Sequence, residues 1–295
     1  MAAAAADTGR TVETGQGKFR ADAFAQYLSP SIDDAGRRYF SASTVLDILH
    51  LELLPQKDTK AMGFGRSFHE FCEYELCGQS YYILTNTDRK KHNKSVEASG
   101  IPIISDAPAE VAKLNNMRKY SAPYWDTVAA AAASTELILE QGLYVPVNLA
   151  GATGSMAFLG SFLEVLGRPL KIRVDAYSPD TAVLYDWKTV TASTRGKIQS
   201  EMHWRKYWLK MAIYYYALTV AGYPCKKLVL AMFPKWAEGG RVYEFTADTS
   251  DKRFWDYINN FLMSREQWRR RIELYNKLHS AKGVYAEKFE DGDYR

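Results

Sequence analysis

The chain has 295 residues, of which 47% are hydrophobic and 24% charged, and its formal net charge is +4. This length suffices for one large domain or two small ones with a substantial core. The basic balance is compatible with nucleic-acid binding but too modest to indicate it alone. The three cysteines, Cys72, Cys77 and Cys225, form no CxxC pair. The sequence therefore predicts neither a zinc site nor a disulfide framework.

The two ends of the chain and its apolar runs bear on its location. No apolar run approaches the roughly 20 residues that a membrane-spanning helix needs. The opening MAAAAA lacks the basic region of a signal peptide. We therefore expect a cytoplasmic protein with no membrane partner. Residues 1–36 are small, polar and weakly periodic, which predicts a flexible N-terminal arm, and the tail 281–295 is expected to be poorly ordered.

The first folded elements are helices. Apolar residues at helical spacing predict helices over 44–54 and 63–76. In the second helix His69 lies beside the buried stripe and can project inward. A lone histidine at such a position is usually a satisfied core residue, and its alternative is a place in a functional site.

A basic polar segment, 84–100, follows and contains Arg89 and Lys90. Such a run is usually a solvated loop, and its functional alternative is a contact with DNA phosphates. Helices are then expected over 107–120 and 124–133, and a strand region over 136–147. In that strand region Glu140 is either an edge-strand surface charge or a carboxylate of a site, with Glu136 as its competitor.

The most informative stretch is 171–190, which contains KIRVDAYSPDTAVLYDWKT. Runs of β-forming residues around an SPD turn predict a β-hairpin. With the turn centred at 180–181, Asp175 faces Asp186 across the ladder, with the Cβ atoms about 5 Å apart. Lys188 lies two positions after Asp186 and so leaves the same face of the sheet.

This hairpin brings like charges together, which destabilises it unless something compensates. Mg²⁺ does this well, because it binds one or two carboxylates and keeps its other positions for water and phosphate oxygens. Lys188 is then placed to hold an attacking water or help deprotonate it. The alternative is a solvated cluster of Asp175, Asp186 and Lys188 on the surface.

The rest of the chain supplies further candidate contacts. A polar connection is expected over 189–200, where Arg195 and Lys197 are candidate contacts with DNA, together with Arg173 and Thr189 on the hairpin. The remaining elements are predicted as a helix, two strands of a hairpin and a long C-terminal helix: 202–221, 227–234, 241–246 and 251–278.

The pattern D-x10-D-W-K after apolar strands resembles the core of the PD-(D/E)xK nuclease superfamily, and more narrowly the RecB-like and RecE-like (λ-exonuclease-type) phage exonucleases. The likeness spans roughly residues 40 to 250. It rests on motifs in the family's order: Gly65-x-x-x-His69, Glu140, Asp175, Asp186-x-Lys188 and Lys210-x-x-x-Tyr214. The last motif departs from the family's Q-x-x-x-Y, because lysine replaces glutamine, and this puts the role of position 210 in doubt.

This resemblance implies an α/β fold with a restriction-endonuclease-like core, in which a central mixed β-sheet is flanked by helices and a long C-terminal helix is added. Residues 37–280 would form the nuclease domain. The implied activity is that of a Mg²⁺-dependent DNA exonuclease acting 5′ to 3′ on linear duplex DNA. Mn²⁺ is expected to substitute for Mg²⁺. Three cysteines cannot supply the four ligands of an iron–sulfur cluster, so none is expected.

The resemblance also implies roles for single residues. Asp175, Asp186, Glu140 and His69 would hold the metal, and Lys188 would position the attacking water. Lys210 and Tyr214 complete the catalytic set.

Partners are implied in the same way. The single-stranded DNA produced would serve recombination by single-strand annealing, with a RecT/Beta-like annealing protein as partner and a homo-oligomeric ring as the assembly. Two alternatives stay open. One is a single-strand-specific exonuclease or an endonuclease of the same superfamily, and the other is a catalytically silent DNA-binding scaffold.

Overall fold

A computed structural model of the protein describes residues 13–14, 17–20, 39–50, 60–84, 98–105, 107–131, 137–145, 154–236 and 240–280. Within these ranges the chain is an α/β protein with mixed β-sheets and flanking helices. No helix in the described part of the chain is long and apolar enough to cross a membrane.

The helices are α1 Ala42–His50, α2 Lys60–Cys77, α3 Pro108–Ala131, α4 Ala157–Glu164, α5 Arg195–Trp204, α6 Tyr207–Val220, α7 Lys252–Asn259 and α8 Arg265–Ser280, and a 3₁₀ turn spans Gly154–Met156. The strands are β1 Glu13–Thr14, β2 Gly17–Arg20, β3 Phe40–Ser41, β4 Tyr82–Ile83, β5 Ile103–Ser105, β6 Ile138–Leu139, β7 Gly142–Val145, β8 Leu170–Arg173, β9 Ala176–Ser178, β10 Val183–Val190, β11 Lys227–Pro234 and β12 Tyr243–Asp248.

These strands form two five-stranded sheets and one small pair. The first sheet has the order β1-β2-β7-β8-β3, and the second has the order β12-β11-β10-β9-β6. Strands β4 and β5 pair with each other. In the second sheet β10 and β11 are parallel, whereas β9 and β12 run antiparallel to their neighbours. A parallel pair needs a long crossover connection, and α5 and α6 form it.

The chain passes between the two five-stranded sheets at two adjacent breaks. One break separates β6 from β7 at Glu140, whose φ is 49°, and the other separates β8 from β9 at Asp175. The breaks are joined by backbone hydrogen bonds, since Glu140 N–H donates to Asp175 O at 3.1 Å and Val174 N–H donates to Gln141 O at 3.1 Å. Both carboxylates therefore leave the chain at one crossing point.

The predicted hairpin register is confirmed. Ladder pairs join Val183 to Ser178 and Tyr185 to Ala176, and the same register extended by one residue places Asp186 opposite Asp175. The expectation of one continuous strand from residue 171 is wrong, because the strand breaks at 174–175 and its first half pairs with β7 in the other sheet.

Several predicted element boundaries are corrected by the structure. The polar connection over 189–200 is shorter than expected, because β10 continues to Val190 and α5 begins at Arg195. The single helix over 202–221 is two helices, which are separated at Lys206, where φ is 52°. The long C-terminal helix over 251–278 is likewise two helices, α7 and α8.

Some other predicted elements are confirmed, and two predicted helices form one. Helix 63–76 lies within α2, and the hairpin of β11 with β12 is confirmed. The two helices over 107–120 and 124–133 form one helix, α3, with Pro123 inside it. In the N-terminal stretch expected to be a flexible arm, β2 pairs with β7 and buries Phe19. Residues 17–20 of this stretch are therefore part of the first sheet.

The alternation of side chains along the second sheet sets up the core on its two faces. On β10, Tyr185 and Trp187 pack with Phe68 of α2 and Trp125 of α3 in one apolar cluster. Even-numbered residues such as Leu184 belong to a second cluster, which includes α6. Asp186 lies in the same alternating series as Leu184, so it points toward α6 from within an apolar layer.

Candidate active site

Three potential metal ligands converge at the strand crossing. The breaks in the strands supply Glu140 and Asp175, and α2 supplies His69. His69 Nδ1 lies 2.9 Å from Glu140 Oε1 and 3.8 Å from Asp175 Oδ1. One ligand atom from each residue lies within 4.8 Å of the other two. Two carboxylates and an imidazole at these separations can hold one divalent cation.

Asp175 is held in place by the neighbouring strand. Its Oδ2 accepts a hydrogen bond from the backbone N–H of Trp187 at 2.6 Å. Strand β9 begins at Ala176, so it offers no backbone carbonyl to Trp187. The Asp175 carboxylate accepts the hydrogen bond in its place. The other oxygen, Oδ1, remains turned toward His69.

Glu140 is oriented from two sides. Arg173 Nε donates to Glu140 Oε2 at 2.9 Å, while Oε1 faces His69. Arg173 was expected to contact DNA, and the structure places its side chain, which is 15% exposed, against Glu140. We therefore assign Arg173 to positioning Glu140, and its contact with DNA stays a prediction.

Asp186 and two lysines form the other half of the site. The Asp186 residue is fully buried, and its Oδ1 accepts a hydrogen bond from Lys210 Nζ at 3.2 Å. Lys188 Nζ lies 2.6 Å from Asp186 Oδ2 and 3.6 Å from Asp175 Oδ2. Lys188 thus forms an ion pair with Asp186 and lies beside Asp175 as well.

The two halves of the site differ in their electrostatics. Burial alone raises the pKa of Asp186, but the charges of Lys188 and Lys210 outweigh it and lower the pKa to about 2. Burial alone lowers the pKa of Lys188, yet Asp175 and Asp186 raise it above its ordinary value. Asp186 and Lys188 are therefore both charged at neutral pH.

The half around His69 retains a negative potential. Burial raises the pKa of Asp175 despite the nearby charges of Lys188 and His69. Burial would lower the pKa of His69, but the carboxylates of Asp175 and Glu140 raise it overall. Burial also works to raise the pKa of Glu140, which the hydrogen bond and charge of His69 nonetheless lower. The carboxylates of Asp175 and Glu140 therefore favour positive charge at His69, whereas the raised pKa of Asp175 comes from its burial.

A divalent cation therefore fits this donor set. Its ligands would be one oxygen or nitrogen atom from each of three residues, which lie within 4.8 Å of one another. Because a ligating histidine must be neutral, the ion would displace the proton that the carboxylates favour on His69. Asp186, which was also predicted to hold the metal, is not part of this group of three ligands, and its carboxylate lies against Lys188 and Lys210.

The structure also places the remaining predicted residues. Tyr214 is buried on α6, and Lys210 Nζ lies 5.0 Å from the centroid of its ring. Thr189 is half-buried at the end of β10. Arg195 and Lys197 are exposed on α5, and the Arg195 guanidinium lies 4.4 Å from the centroid of the Phe245 ring. Their contacts with DNA stay predictions.

Three predicted positions, Arg89, Lys90 and Glu136, lie outside the described residues. Tyr207, one helical turn before Lys210 on α6, is half-buried, and burial raises the pKa of its hydroxyl.

Comparisons with known proteins give distant likenesses only. No protein-family model matches the sequence, and no curated protein does. A crystal structure of a phage related exonuclease from Haemophilus somnus 129PT is 11% identical, with a TM-score of 0.31, and the match covers 83% of this chain and 96% of that one. The crystal structure of SSO0001 is 11% identical, with a TM-score of 0.29, over 79% of this chain and 84% of the other. Likenesses at these TM-scores carry no argument, so function is inferred from the site itself.

Proposed function

We propose that the protein is a divalent-metal-dependent deoxyribonuclease built on a PD-(D/E)xK core. One observation supports this most strongly: His69, Glu140 and Asp175 offer three ligand atoms within 4.8 Å of one another, beside the ion pair of Asp186 with Lys188. Carboxylates that share a buried point with a charged lysine suit phosphodiester hydrolysis, in which negative charge develops on the phosphate.

The metal ligands are proposed to be Asp175, Glu140 and His69, with Asp186 completing the set. Mg²⁺ is the proposed ion and Mn²⁺ its substitute, because the set is rich in carboxylate oxygens. When bound, the ion would polarise the scissile phosphate and lower the pKa of a bound water.

The protein's own residues then divide the remaining work. Lys188 is proposed to hold the attacking water and to offset charge on the phosphate. Without a metal ion, Asp175 and Asp186 raise the pKa of Lys188, and a cation bound to these carboxylates would weaken that effect. Lys210 is proposed to keep Asp186 ionised and in place, which assigns a role to the lysine that replaces the family's glutamine. Trp187 N–H orients Asp175.

The finer proposal is a 5′-to-3′ exonuclease that acts on linear duplex DNA and produces single strands for annealing. It is supported by the order of the motifs, which resembles that of RecE-like exonucleases. A RecT/Beta-like annealing partner and a homo-oligomeric ring are proposed on the same ground. A superfamily member that cuts single strands or internal sites would use the same catalytic residues.

The test is digestion of a linear duplex labelled separately at its 5′ and 3′ ends, beside a covalently closed circle, with Mg²⁺ or with EDTA. The proposal expects early release of short 5′-labelled products, no cutting of the circle and no reaction in EDTA. Early release of the 3′ label would reverse the polarity. Cutting of the circle would make the protein an endonuclease.

A catalytically silent DNA-binding scaffold is the second candidate. It is favoured by one observation, the balance of charge at the site: Arg173, Lys188 and Lys210 already lie against the three carboxylates Glu140, Asp175 and Asp186. That function predicts duplex binding without cleavage and no heat of Mn²⁺ binding in calorimetry. Saturable Mn²⁺ binding that is lost in Asp175→Ala would exclude it.

A further inference from the structure

An exposed tryptophan stands among lysines at the carboxyl end of β11, outside the candidate active site. Trp236 is 60% exposed. Lys113 Nζ lies 4.9 Å from the centroid of the Trp236 ring and 5.0 Å from that of Phe64. Lys235 Nζ lies 5.2 Å from the centroid of the same Phe64 ring. We call these four residues, Phe64, Lys113, Lys235 and Trp236, the Trp236 platform.

The platform carries positive charge that the described residues do not neutralise by direct contact. Neither Lys113 nor Lys235 forms an ion pair with a carboxylate among the described residues. Burial lowers the pKa of Lys235, and the neighbouring charge of Lys113 lowers it further. The two ammonium groups therefore repel each other, and an anion beside them would be stabilised.

The backbone under the platform is fixed to the sheet. Lys235 N–H donates to Val190 O at 2.9 Å, which continues the pairing of β11 with β10. The hydroxyl of Tyr120 on α3 donates to Pro234 O at 2.8 Å. A binding surface on such rigid elements loses little conformational freedom when a ligand binds.

The platform lies along the sheet from the catalytic lysine. Lys188 of β10 is opposite Met232 of β11, and Lys235 is further along in the carboxyl direction of both parallel strands. At about 3.3 Å per residue, the backbone of Lys235 is roughly 10 Å further along the strand direction than that of Lys188. Because side chains alternate along a strand, Lys235 leaves the opposite face of the sheet from Lys188, next to Phe64.

We propose that the Trp236 platform binds a single-stranded segment of the DNA strand that is being cleaved. The indole of Trp236 stacks on a base, and Lys113 and Lys235 contact the phosphates on either side. Single-stranded DNA fits this surface because its bases are unpaired and offer π-faces, whereas the bases of a duplex are stacked within it. The assignment to the cleaved strand rests on the proposed nuclease function.

The stacking is tested by fluorescence anisotropy in EDTA, where no metal-dependent cleavage occurs. The probe is a labelled oligodeoxythymidylate of about ten nucleotides, within the usual range of single-strand sites. Trp236→Ala is expected to weaken binding about 5- to 150-fold, the range for loss of one stacked base. Trp236→Phe should retain most of the affinity. Phe158→Ala, which removes another aromatic residue, 52% exposed, is the control and should leave binding unchanged.

A second probe separates base stacking from phosphate contact. On an abasic oligonucleotide of the same length, Trp236→Ala should bind as well as the wild type, because no base is left to stack. Equal affinity of Trp236→Ala and wild type on the base-bearing probe would overturn the stacking assignment. The stacking assignment would also be overturned if Trp236→Ala weakened binding equally on the base-bearing and abasic probes, or equally on a blunt duplex.

The lysines are tested through the salt dependence of binding. Lys113→Met and Lys235→Met should each flatten the slope of log affinity against log salt by roughly 0.7, the value for one phosphate contact on a single strand. Lys252→Met, at a surface lysine paired with Asp256, is the control and should not change the slope. An unchanged slope in both platform variants would overturn the phosphate contacts.

The outcomes of these binding measurements can be distinguished from the outcome of a cleavage assay. Tight, Trp236-dependent strand binding by a protein that never cuts DNA would keep the platform and refute the nuclease. Metal-dependent cleavage with strand binding that ignores Trp236 would refute the platform and keep the nuclease.

Discussion

The ion pair of Lys210 with Asp186 makes a quantitative prediction about stability. Asp186 is fully buried, and its pKa is lowered from 3.8 to about 2 by Lys188 and Lys210 together. At 1.36 kcal/mol per unit, this shift corresponds to about 2.4 kcal/mol of stability at neutral pH. Lys188 remains in the variant Lys210→Met, so we expect a loss of about 1 kcal/mol in the free energy of unfolding.

The pH dependence of that loss gives the sign of the effect. Because the folded-state pKa of Asp186 is depressed, its contribution is fully present above the unfolded-state pKa of 3.8. It is lost as the pH falls through that value toward the folded-state pKa, and roughly half is gone by pH 3. The difference between wild type and Lys210→Met should therefore be constant above about pH 5 and shrink below about pH 4.

The assay is urea unfolding followed by tryptophan fluorescence at a series of pH values between 3 and 7. Lys252→Met is the control, because Lys252 is 82% exposed and its pair with Asp256 should contribute almost nothing. A Lys210→Met variant as stable as the wild type at pH 7 would refute the reasoning. A deficit that persists unchanged at pH 3 would show that the loss comes from packing rather than from charge.

Further predictions concern the metal and the chemistry. Lys188→Met is expected to lower metal-dependent cleavage at least 100-fold with the far-ultraviolet circular dichroism unchanged, and full activity would remove it from the catalytic set. Arg173→Met should weaken Mn²⁺ binding in calorimetry about 10- to 100-fold by releasing Glu140, whereas an unchanged affinity would refute this positioning role. Since the pKa of His69 is raised above 6.5, Mn²⁺ affinity should increase as the pH rises through that pKa. In His69→Gln this pH dependence should flatten, and its persistence would mean that His69 does not bind the ion.

The local parts of the site followed from the sequence because they depend on short-range periodicity. The register that sets Asp175 opposite Asp186 follows from the position of one turn, and β9 and β10 keep it. The spacing of two residues that puts Lys188 beside Asp186 follows from the pleat of a strand. His69 beside the buried stripe of α2 follows from the helical period.

The strand breaks did not follow from the sequence, because they depend on long-range pairing. Nothing between 171 and 178 marks the point where β8 leaves one sheet and β9 joins the other, since both halves are rich in β-forming residues. Glu140 adopts a φ of 49° without being glycine, so no local signal announces the break there. The two breaks form together, through hydrogen bonds between them.

The partners of charged side chains were the second feature that the sequence did not predict. The pairing of Arg173 with Glu140, which is more than 30 residues away in sequence, was not predicted. Lys206 has a φ of 52° and separates α5 from α6 within an aromatic-rich run that predicted one continuous helix. In both cases tertiary packing overrode what the local sequence favoured.

The measurement that tests the central claim most directly is single-turnover cleavage of an end-labelled linear duplex by the wild type and Asp175→Ala in parallel. We predict cleavage by the wild type only when Mg²⁺ or Mn²⁺ is present, and none by Asp175→Ala, with equal duplex binding by both proteins in EDTA. Cleavage by Asp175→Ala at the wild-type rate, or wild-type cleavage that persists in EDTA, would contradict a metal-dependent site at the strand crossing.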